Sequence, residues 1–198
     1  MNIYLIRHGE TDWNLIGKVQ GREDIPLNDT GRMQAKKCAI ALQDAGIKTI
    51  ITSPLMRATQ TANIISNSID STASIELIID DGLIERDFGD MSGMTYDRRK
   101  YFDTFGLEET MEPLDILSKR LLDCIYKYAE KYRNQDIVMV SHGAAINSVI
   151  MALTEGEKGS GKTRLKNACI SILTYVDNEL QLGSYNMTAD EFMDLKQP

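Results

Sequence analysis

The chain has 198 residues, 42% hydrophobic and 26% charged, a composition that suits one ordinary globular domain and excludes a disordered or fibrous protein. Asp plus Glu number 29 against 22 Lys plus Arg, and the net charge of −7 disfavours a general nucleic-acid-binding protein, which carries a basic surface. The longest apolar runs, at Cys38–Leu42 and Val149–Leu153, are far shorter than the ~20 residues of a membrane span, so neither a span nor a secretory signal is expected.

Strands and helices are predicted to alternate along the chain. Short apolar runs predict strands at Asn2–Ile6, Thr49–Thr52, Ile75–Ile79, Ile137–Val140, Ala168–Val176 and Glu179–Gly183. Apolar residues at helical spacing and capping residues predict helices from Asn28 to about Asp44, from Pro54 behind a Ser53 cap, from Thr95 to Asp103, from Pro113 to Tyr132 and from Gly143 to about Leu153. This alternation predicts an α/β fold, a three-layer α/β/α sandwich with a mainly parallel sheet, and a single domain over residues 1–198.

The three cysteines, Cys38, Cys124 and Cys169, each lie in an apolar stretch. Their odd number and wide spacing are typical of reduced core residues, which predicts a cytoplasmic protein. No Cys/His cluster has the spacing of a zinc site, so no metal is expected.

Both histidines of the chain directly follow a predicted strand, His8 after the first and His142 after the fourth. Ligands of open α/β sheets bind beyond the carboxyl ends of the strands, so we expect the two rings to meet there. Arg7 precedes His8, and Arg57 lies in the first turn of the helix that follows the second strand. Two arginines, two histidines and a helix N-terminus in an otherwise acidic chain predict a site for a phosphate-sized anion.

A neutral imidazole can attack phosphorus and carry the phosphoryl group covalently, after which the leaving oxygen needs a proton. Glu85, in the acidic loop of residues 80–93, is the best placed donor. The same loop holds Asp81, Asp87 and Asp90, and the pattern alone does not choose among the four carboxylates.

Four blocks of sequence stand in a fixed order along most of the chain. They are Arg7-His8-Gly9-Glu10-Thr11 with Trp13-Asn14, Ser53-Pro54-Leu55 with Arg57-Ala58, Glu85 with Phe88-Gly89, and Ser141-His142-Gly143. In this order they resemble the histidine phosphatase superfamily, also called the phosphoglycerate mutase-like family. The resemblance implies a phosphoglycerate mutase-like fold.

The resemblance also implies a role for each matching residue. His8 would be the nucleophile that forms a phosphohistidine, and Glu85 would be the proton donor and later the base that activates water. Arg7, Arg57 and His142 would bind the phosphoryl oxygens and stabilise the transition state. The residues expected to contact the phosphate are Arg7, Asn14, Gln20, Gly21, Arg57, His142 and Gly143. No metal or cofactor is implied, because the arginines supply the positive charge.

The stretch between Glu85 and His142 is short compared with the insert of the family's cofactor-dependent mutases. It therefore favours a metal-independent phosphatase of small phosphate monoesters, of the histidine acid phosphatase type, with a cofactor-dependent phosphoglycerate mutase as the alternative. The basic triplet Arg98-Arg99-Lys100 within it either binds an acidic substrate or forms a solvated helix face. The family often has an arginine shortly after His142-Gly143, and Ala144–Asn147 contains none.

Residues Gly156–Thr163 fit the P-loop pattern G-x-x-x-x-G-K-[ST]. A P-loop needs a strand before it and a helix after it, whereas here a helix is predicted before and a strand after. We therefore expect a flexible loop and no nucleotide hydrolysis. A non-catalytic binding protein on the same fold is also disfavoured, because every catalytic position is filled. The expected partner is a small-molecule phosphate ester, with no nucleic acid and no membrane, and a homodimer is left open.

Overall fold

The structure is a computed structural model that describes residues 1–69, 75–95 and 107–195, and its centre is a six-stranded sheet. Its strands are β1 Asn2–Arg7, β2 Thr49–Thr52, β3 Glu76–Ile79, β4 Ile137–Ser141, β5 Ile170–Val176 and β6 Glu179–Leu182. The order across the sheet is β3-β2-β4-β1-β5-β6. Strands β3, β2, β4 and β1 pair in parallel. Strand β5 pairs antiparallel with both of its neighbours, β1 and β6. The mainly parallel sheet predicted from the sequence is confirmed.

Six α-helices of 4 to 18 residues lie between or after these strands in the described residues. They are α1 Asp12–Leu15, α2 Asp29–Leu42, α3 Met56–Ile69, α4 Leu114–Lys131, α5 Gly143–Leu153 and α6 Ala189–Leu195. The sequence pattern does not predict the short helices α1 and α6. The predicted helix from Thr95 to Asp103 falls, apart from Thr95, outside the described residues, as does the triplet Arg98-Arg99-Lys100.

The start of α3 differs from the prediction. Pro54 precedes the helix, which begins at Met56. The Ser53 hydroxyl accepts a hydrogen bond from Leu55 N, while Met56 N donates to a carboxylate oxygen of Asp24. A cap that comes from a distant loop therefore sets the helix start, and local sequence does not reveal such a cap.

Two layers of helices cover the sheet because successive side chains of a strand point to opposite faces. Ile3 and Leu5 of β1 belong to one core cluster, with apolar residues of α4 and α5. Tyr4 and Ile6 belong to the other, with apolar residues of α2, α3 and α6. Each fully buried Leu or Ile side chain contributes about 1.5–3 kcal/mol relative to an exposed one. The three-layer α/β/α sandwich is confirmed.

The three cysteines are free and buried, as expected from their apolar surroundings. Burial raises the pKa of the Cys38 and Cys124 thiols to about 12 and that of Cys169 to about 11. Within the three described ranges, no helix has the length and apolar character needed to cross a bilayer.

The loop that carries His8 is packed directly against the first turn of α2. A Cβ atom on Gly31 would clash with the backbone oxygen of Glu10, and one on Gly9 would clash with Gly31 O. The two backbones can approach this closely only because both residues are glycine.

Replacing Gly31 with alanine should therefore lower the free energy of unfolding by about 1–3 kcal/mol, since a clash with backbone exceeds the gain in helix propensity. Urea denaturation measures the change. Met33→Ala on the same helix is the control, because this side chain is 60% exposed and its loss should change stability by less than ~0.5 kcal/mol. An unchanged midpoint for Gly31→Ala would show that α2 and the His8 loop can separate freely.

Candidate active site

The parallel pairing of β1 with β4 brings the two histidines together. Arg7 lies opposite Ser141 in the register, and His8 N donates to Ser141 O at 3.0 Å. The rings of His8 and His142 have centroids 5.3 Å apart, and both side chains are buried. The structure thus places the predicted pair at one edge of the sheet.

His8 is held as a neutral imidazole with a defined tautomer. Its Nδ1 lies 2.6 Å from Gly9 O, which can only accept, so Nδ1 carries the proton and Nε2 keeps its lone pair. Burial, and then the charges of Arg57 and Arg7, hold the pKa of His8 well below its usual value of 6.5. A neutral ring with an unprotonated Nε2 is a competent nucleophile toward phosphorus.

His142 precedes α5 and has one ring nitrogen bound and one open. Its Nε2 lies 2.7 Å from Ser53 Oγ, which already accepts from Leu55 N, so the hydroxyl proton can be donated to the ring. Nδ1 is buried and has no hydrogen-bond partner among the described residues. Burial, followed by the charge of Arg57, lowers the pKa of His142 well below its usual value. A neutral ring with an unpartnered Nδ1–H can donate to an oxygen atom of a ligand that reaches it.

Arg57 is fully buried in the first turn of α3. Nη1 donates to Glu23 O at 2.6 Å and Nη2 to Gly21 O at 2.8 Å, and Nε has no partner among the described residues. Burial lowers its pKa to about 10, so the group stays charged at neutral pH. Within the described parts of the chain it forms no ion pair. The carboxylates of Glu85 and Asp24 act on it from a distance and favour the charged form. Burying a charge without a direct partner is costly, and a bound anion would offset that cost.

Arg7 lies next to Gly143, and its charge contributes to the lowered pKa of His142. A Cβ atom at Gly143 would lie 3.4 Å from Arg7 Nε, an ordinary contact distance. At the other end of the group, Nη1 donates to Leu165 O at 2.6 Å. Arg7 and Arg57 both lower the pKa of His8, which places two positive charges around the same ring.

The Glu85 carboxylate lies at the N-terminus of α5, directly after His142-Gly143. Oε1 accepts from Ala145 N at 2.9 Å and from Arg86 N at 2.8 Å, while Oε2 accepts from Ala144 N at 3.2 Å. Backbone N–H groups thus fix both oxygens in a buried position.

The other carboxylates of the acidic loop lie elsewhere. Asp81 and Asp90 are exposed, and Asp87 forms an ion pair with Arg22. Their placement separates Glu85 from the alternatives that the sequence leaves open.

Asn14 and Gln20 turn their amide oxygens toward Thr11. The Thr11 hydroxyl lies 3.1 Å from Asn14 Oδ1 and 3.0 Å from Gln20 Oε1, and Asn167 Nδ2 also donates to Asn14 Oδ1. The described residues offer no acceptor to the NH₂ groups of Asn14 and Gln20. These amides can therefore donate to an anion. Gly21, which accepts from Arg57, has a φ of 51° and so adopts the left-handed conformation that favours glycine.

Sequence reasoning misses two residues that support the site. Thr61 of α3 accepts from Gly9 N at 3.1 Å and donates to Arg57 O at 2.7 Å, which ties the nucleophile loop to the buried arginine. Arg120 of α4 binds the backbone around Glu85. Both are polar residues on the apolar face of a helix, and that position is the signal by which the sequence could have found them.

The P-loop-like segment Gly156–Thr163 follows α5 and precedes β5, so its order of elements is the reverse of a P-loop. Lys162 Nζ donates to Gly156 O at 2.6 Å, and Thr163 N to Gly159 O, so the segment closes on itself. Lys162 and Thr163 also line an open cavity of about 500 Å³. None of the predicted site residues lines this cavity.

Comparison with known proteins identifies the family of the chain. A family model described as the histidine phosphatase superfamily (branch 1) matches residues 3–188. The chain is 36% identical to the uncharacterized phosphatase PhoE of Bacillus subtilis (strain 168), over 94% of this chain and 95% of the relative. It is 35% identical to phosphoglycerate mutase-like protein 4 of Arabidopsis thaliana, over 74% of this chain and 68% of the relative. Among solved structures, phosphoserine phosphatase from Entamoeba histolytica in complex with 3-phosphoglyceric acid superimposes with a TM-score of 0.80 and 30% identity, covering 97% and 98% of the two chains.

The lowered pKa values of His8 and His142 predict that neither ring takes up a proton as the pH falls through 6.5. The unfolded chain does take up these protons. The contribution of the two histidines to the free energy of unfolding is therefore fully present above pH 6.5, and it is lost as the pH falls below this value. Since the chain has two histidines, a ¹H–¹⁵N spectrum of the imidazoles resolves each one, and His8→Gln assigns them. The urea-unfolded protein is the control and should titrate near 6.5. A native His8 ring that titrates near 6.5, or that carries its proton on Nε2, would contradict the description above.

Proposed function

The chain belongs to the histidine phosphatase superfamily, and on that premise we propose that it is a phosphatase that hydrolyses small-molecule phosphate monoesters through a covalent phosphohistidine on His8. Glu85 is the proton donor. The enzyme is a metal-independent phosphoric monoester hydrolase of the histidine acid phosphatase type, in which arginine side chains supply the positive charge.

One observation carries this proposal. Arg57 is a fully buried, charged guanidinium without a carboxylate partner among the described residues, and it lies beside two buried neutral imidazoles. Its Nε and the Nδ1 of His142 are buried and lack partners within the described chain. A phosphoryl group at this position would neutralise the charge and accept from both nitrogens.

In the first half of the reaction, His8 Nε2 attacks phosphorus, and the bond from phosphorus to the ester oxygen breaks as the N–P bond forms. Arg7, Arg57 and His142 donate to the phosphoryl oxygens and stabilise the charge that spreads over them in the transition state. Glu85 gives its proton to the departing alcohol oxygen. Asn14, Gln20 and the backbone at Gly21 and Gly143 line the phosphate pocket.

In the second half, the Glu85 carboxylate takes a proton from a water molecule that attacks the phosphohistidine. The N–P bond breaks, phosphate leaves, and His8 returns to the neutral imidazole. Throughout, Gly9 O accepts a hydrogen bond from Nδ1–H, which keeps Nε2 directed at phosphorus.

The first substrates to test are small phosphorylated acids. A relative with 30% identity is named phosphoserine phosphatase and was solved with 3-phosphoglyceric acid bound. The mutase alternative is favoured by one observation, the relative named phosphoglycerate mutase-like protein 4. It predicts transfer of the phosphoryl group between substrate hydroxyls in place of phosphate release.

We also propose that residues 1–198 form a single domain, since the described elements share one sheet and the family model covers residues 3–188. A cytoplasmic location is proposed from the three buried free thiols. The partner is the small phosphate ester, with no nucleic acid and no membrane surface.

Removal of the nucleophile should abolish phosphate release. With phosphoserine, 3-phosphoglycerate and p-nitrophenyl phosphate in EDTA, the wild type should release phosphate, and His8→Ala should be slower by about 10⁴-fold or more because the covalent route is lost. Met33→Ala is the matched control for an exposed change that leaves activity intact. Activity that needs Mg²⁺ and survives loss of His8 would overturn the mechanism, and phosphoryl transfer without net release would favour the mutase.

Replacement of the proton donor should depend on the leaving group. Glu85→Gln should slow release of an alkyl alcohol by about 10²–10⁴-fold, because the alkoxide needs a proton, and should spare release of p-nitrophenol, a stable anion. Since the same residue activates water, p-nitrophenyl phosphate should give a burst of p-nitrophenol, one per active site, followed by slow turnover with phosphate bound to the protein. Rapid-quench kinetics measures both phases. Equal losses for alkyl and aryl esters in the first phase, the release of the alcohol or phenol, would exclude Glu85 as the donor.

A further inference from the structure

The backbone of the loop that carries Glu85 is held by one side chain from α4. Arg120 Nη1 donates to Gly82 O at 3.1 Å and to Ile84 O at 2.8 Å, and Nη2 donates to Glu85 O at 3.1 Å. A single guanidinium thus binds three of the four carbonyls from residue 82 to residue 85. Only the start of this stretch belongs to a short 3₁₀ turn, so neither a helix nor a strand supplies these hydrogen bonds.

The remaining carbonyl in this stretch is bound from the strand that carries the second histidine. Ser141 Oγ, at the end of β4, donates to Leu83 O at 2.7 Å. All four successive carbonyls therefore have a side-chain donor, and Arg22 Nε approaches Glu85 O as well, at 3.4 Å. The loop conformation depends on these donors because it has no ladder of its own.

Arg120 is itself fixed by Glu112. Its Nε donates to Oε1 at 2.7 Å and its Nη2 to Oε2 at 2.9 Å, and the two side chains are 21% and 9% exposed. Burial acts to raise the pKa of Glu112, but the hydrogen bonds and charge of Arg120 hold it below its usual value. A two-pronged pair of this kind sets the plane of the guanidinium, which the single ammonium of a lysine cannot do.

Glu112 also binds the chain on the far side of Glu85. Asp87 N donates to Glu112 Oε2 at 3.2 Å, Glu112 N to Asp87 O at 2.9 Å, and Arg86 Nε to Glu112 O at 2.7 Å. Together with Arg120, it therefore restrains the backbone before and after the proposed proton donor.

We propose that Arg120, oriented by Glu112, is the positioning residue that holds the Glu85 carboxylate against the N-terminus of α5 for proton transfer. Arg120 binds the carbonyl of Glu85 while the N–H groups of Ala144 and Ala145 bind its carboxylate, so the residue is fixed at both ends. Proton transfer needs donor and acceptor within about 2.6–3.2 Å, and a displacement of 1 Å is enough to cost about 10²-fold in rate. This inference rests on the proposed role of Glu85.

The test compares Arg120→Met and Arg120→Lys with Lys119→Met, the neighbouring residue, whose side chain is 73% exposed. For an alkyl phosphate, kcat should fall by about 10²-fold in both Arg120 variants with little change in KM, because phosphate contacts are intact. In a single turnover, the rate of p-nitrophenol release should stay at the wild-type value, since this step needs no proton. Lys119→Met should match the wild type on both substrates. Equal loss on both substrates in a single turnover, or full rescue by lysine, would overturn the inference.

A second comparison separates a positioning role from a merely structural one. In a Glu85→Gln background, Arg120→Met should add no further loss of kcat for the alkyl ester, because its effect passes through the missing acid. If kcat of the double variant fell by the product of the two single losses, Arg120 would act independently of Glu85, and the inference would be overturned. If Arg120→Met does not fold, Glu112→Gln replaces it, and it should show the same loss confined to the alkyl ester. Failure of the proposed function itself is distinct, since Glu85→Gln alone would then lack any dependence on the leaving group.

Discussion

A buried positive charge without a carboxylate partner organises the edge of the sheet where β1 and β4 end. Arg57 donates two guanidinium nitrogens to the carbonyls of Gly21 and Glu23, which carry no charge. Glu85 and Asp24 offset part of the positive charge without forming an ion pair with it. The same charge, added to burial, keeps His8 and His142 neutral. An unpaired buried charge destabilises the folded chain, and an anion beside it removes that cost. The buried charge that destabilises the fold is thus the group that we propose binds the phosphoryl oxygens.

Two buried or half-buried arginines make the same kind of contact but differ in their charge environment. Arg57 donates to backbone carbonyls of the loop at Gly21 and Glu23, and Arg120 donates to those of the loop that carries Glu85. Arg120 is paired with Glu112, so its charge is neutralised and its plane is fixed. Arg57 has no such pair among the described residues, so its charge is available to a ligand. The presence of a directly paired carboxylate therefore distinguishes Arg120, which supports the fold, from Arg57, which we propose binds the substrate phosphate.

The sequence determines the sheet more fully than the site. The sequence pattern locates all six strands. The signal is strongest for β2 and β4, which are buried along their whole length and therefore need apolar residues at successive positions. The strand ends then locate His8 and His142. Glu85 stays one of several carboxylates until the contact with Ala145 N, 60 positions along the chain, distinguishes it. The sequence does not identify Arg120 either, because its partners are carbonyls of a loop that is distant in the chain. The error at Pro54 also comes from tertiary structure, because a residue of another loop caps that helix.

The environment that makes His8 a nucleophile also favours completion of the cycle. A phosphorylated imidazole carries a positive charge, and in this site its Nδ1 proton faces the carbonyl of Gly9 and not a carboxylate that would stabilise the charge. Burial and the charges of Arg57 and Arg7 oppose a positive charge on the ring itself, whereas in the proposed mechanism the two arginines attract the phosphoryl oxygens. Release of the phosphoryl group to water restores the neutral ring, the form that these surroundings prefer. A ring that these surroundings disfavour as a cation therefore agrees with the proposed hydrolysis of the phosphohistidine.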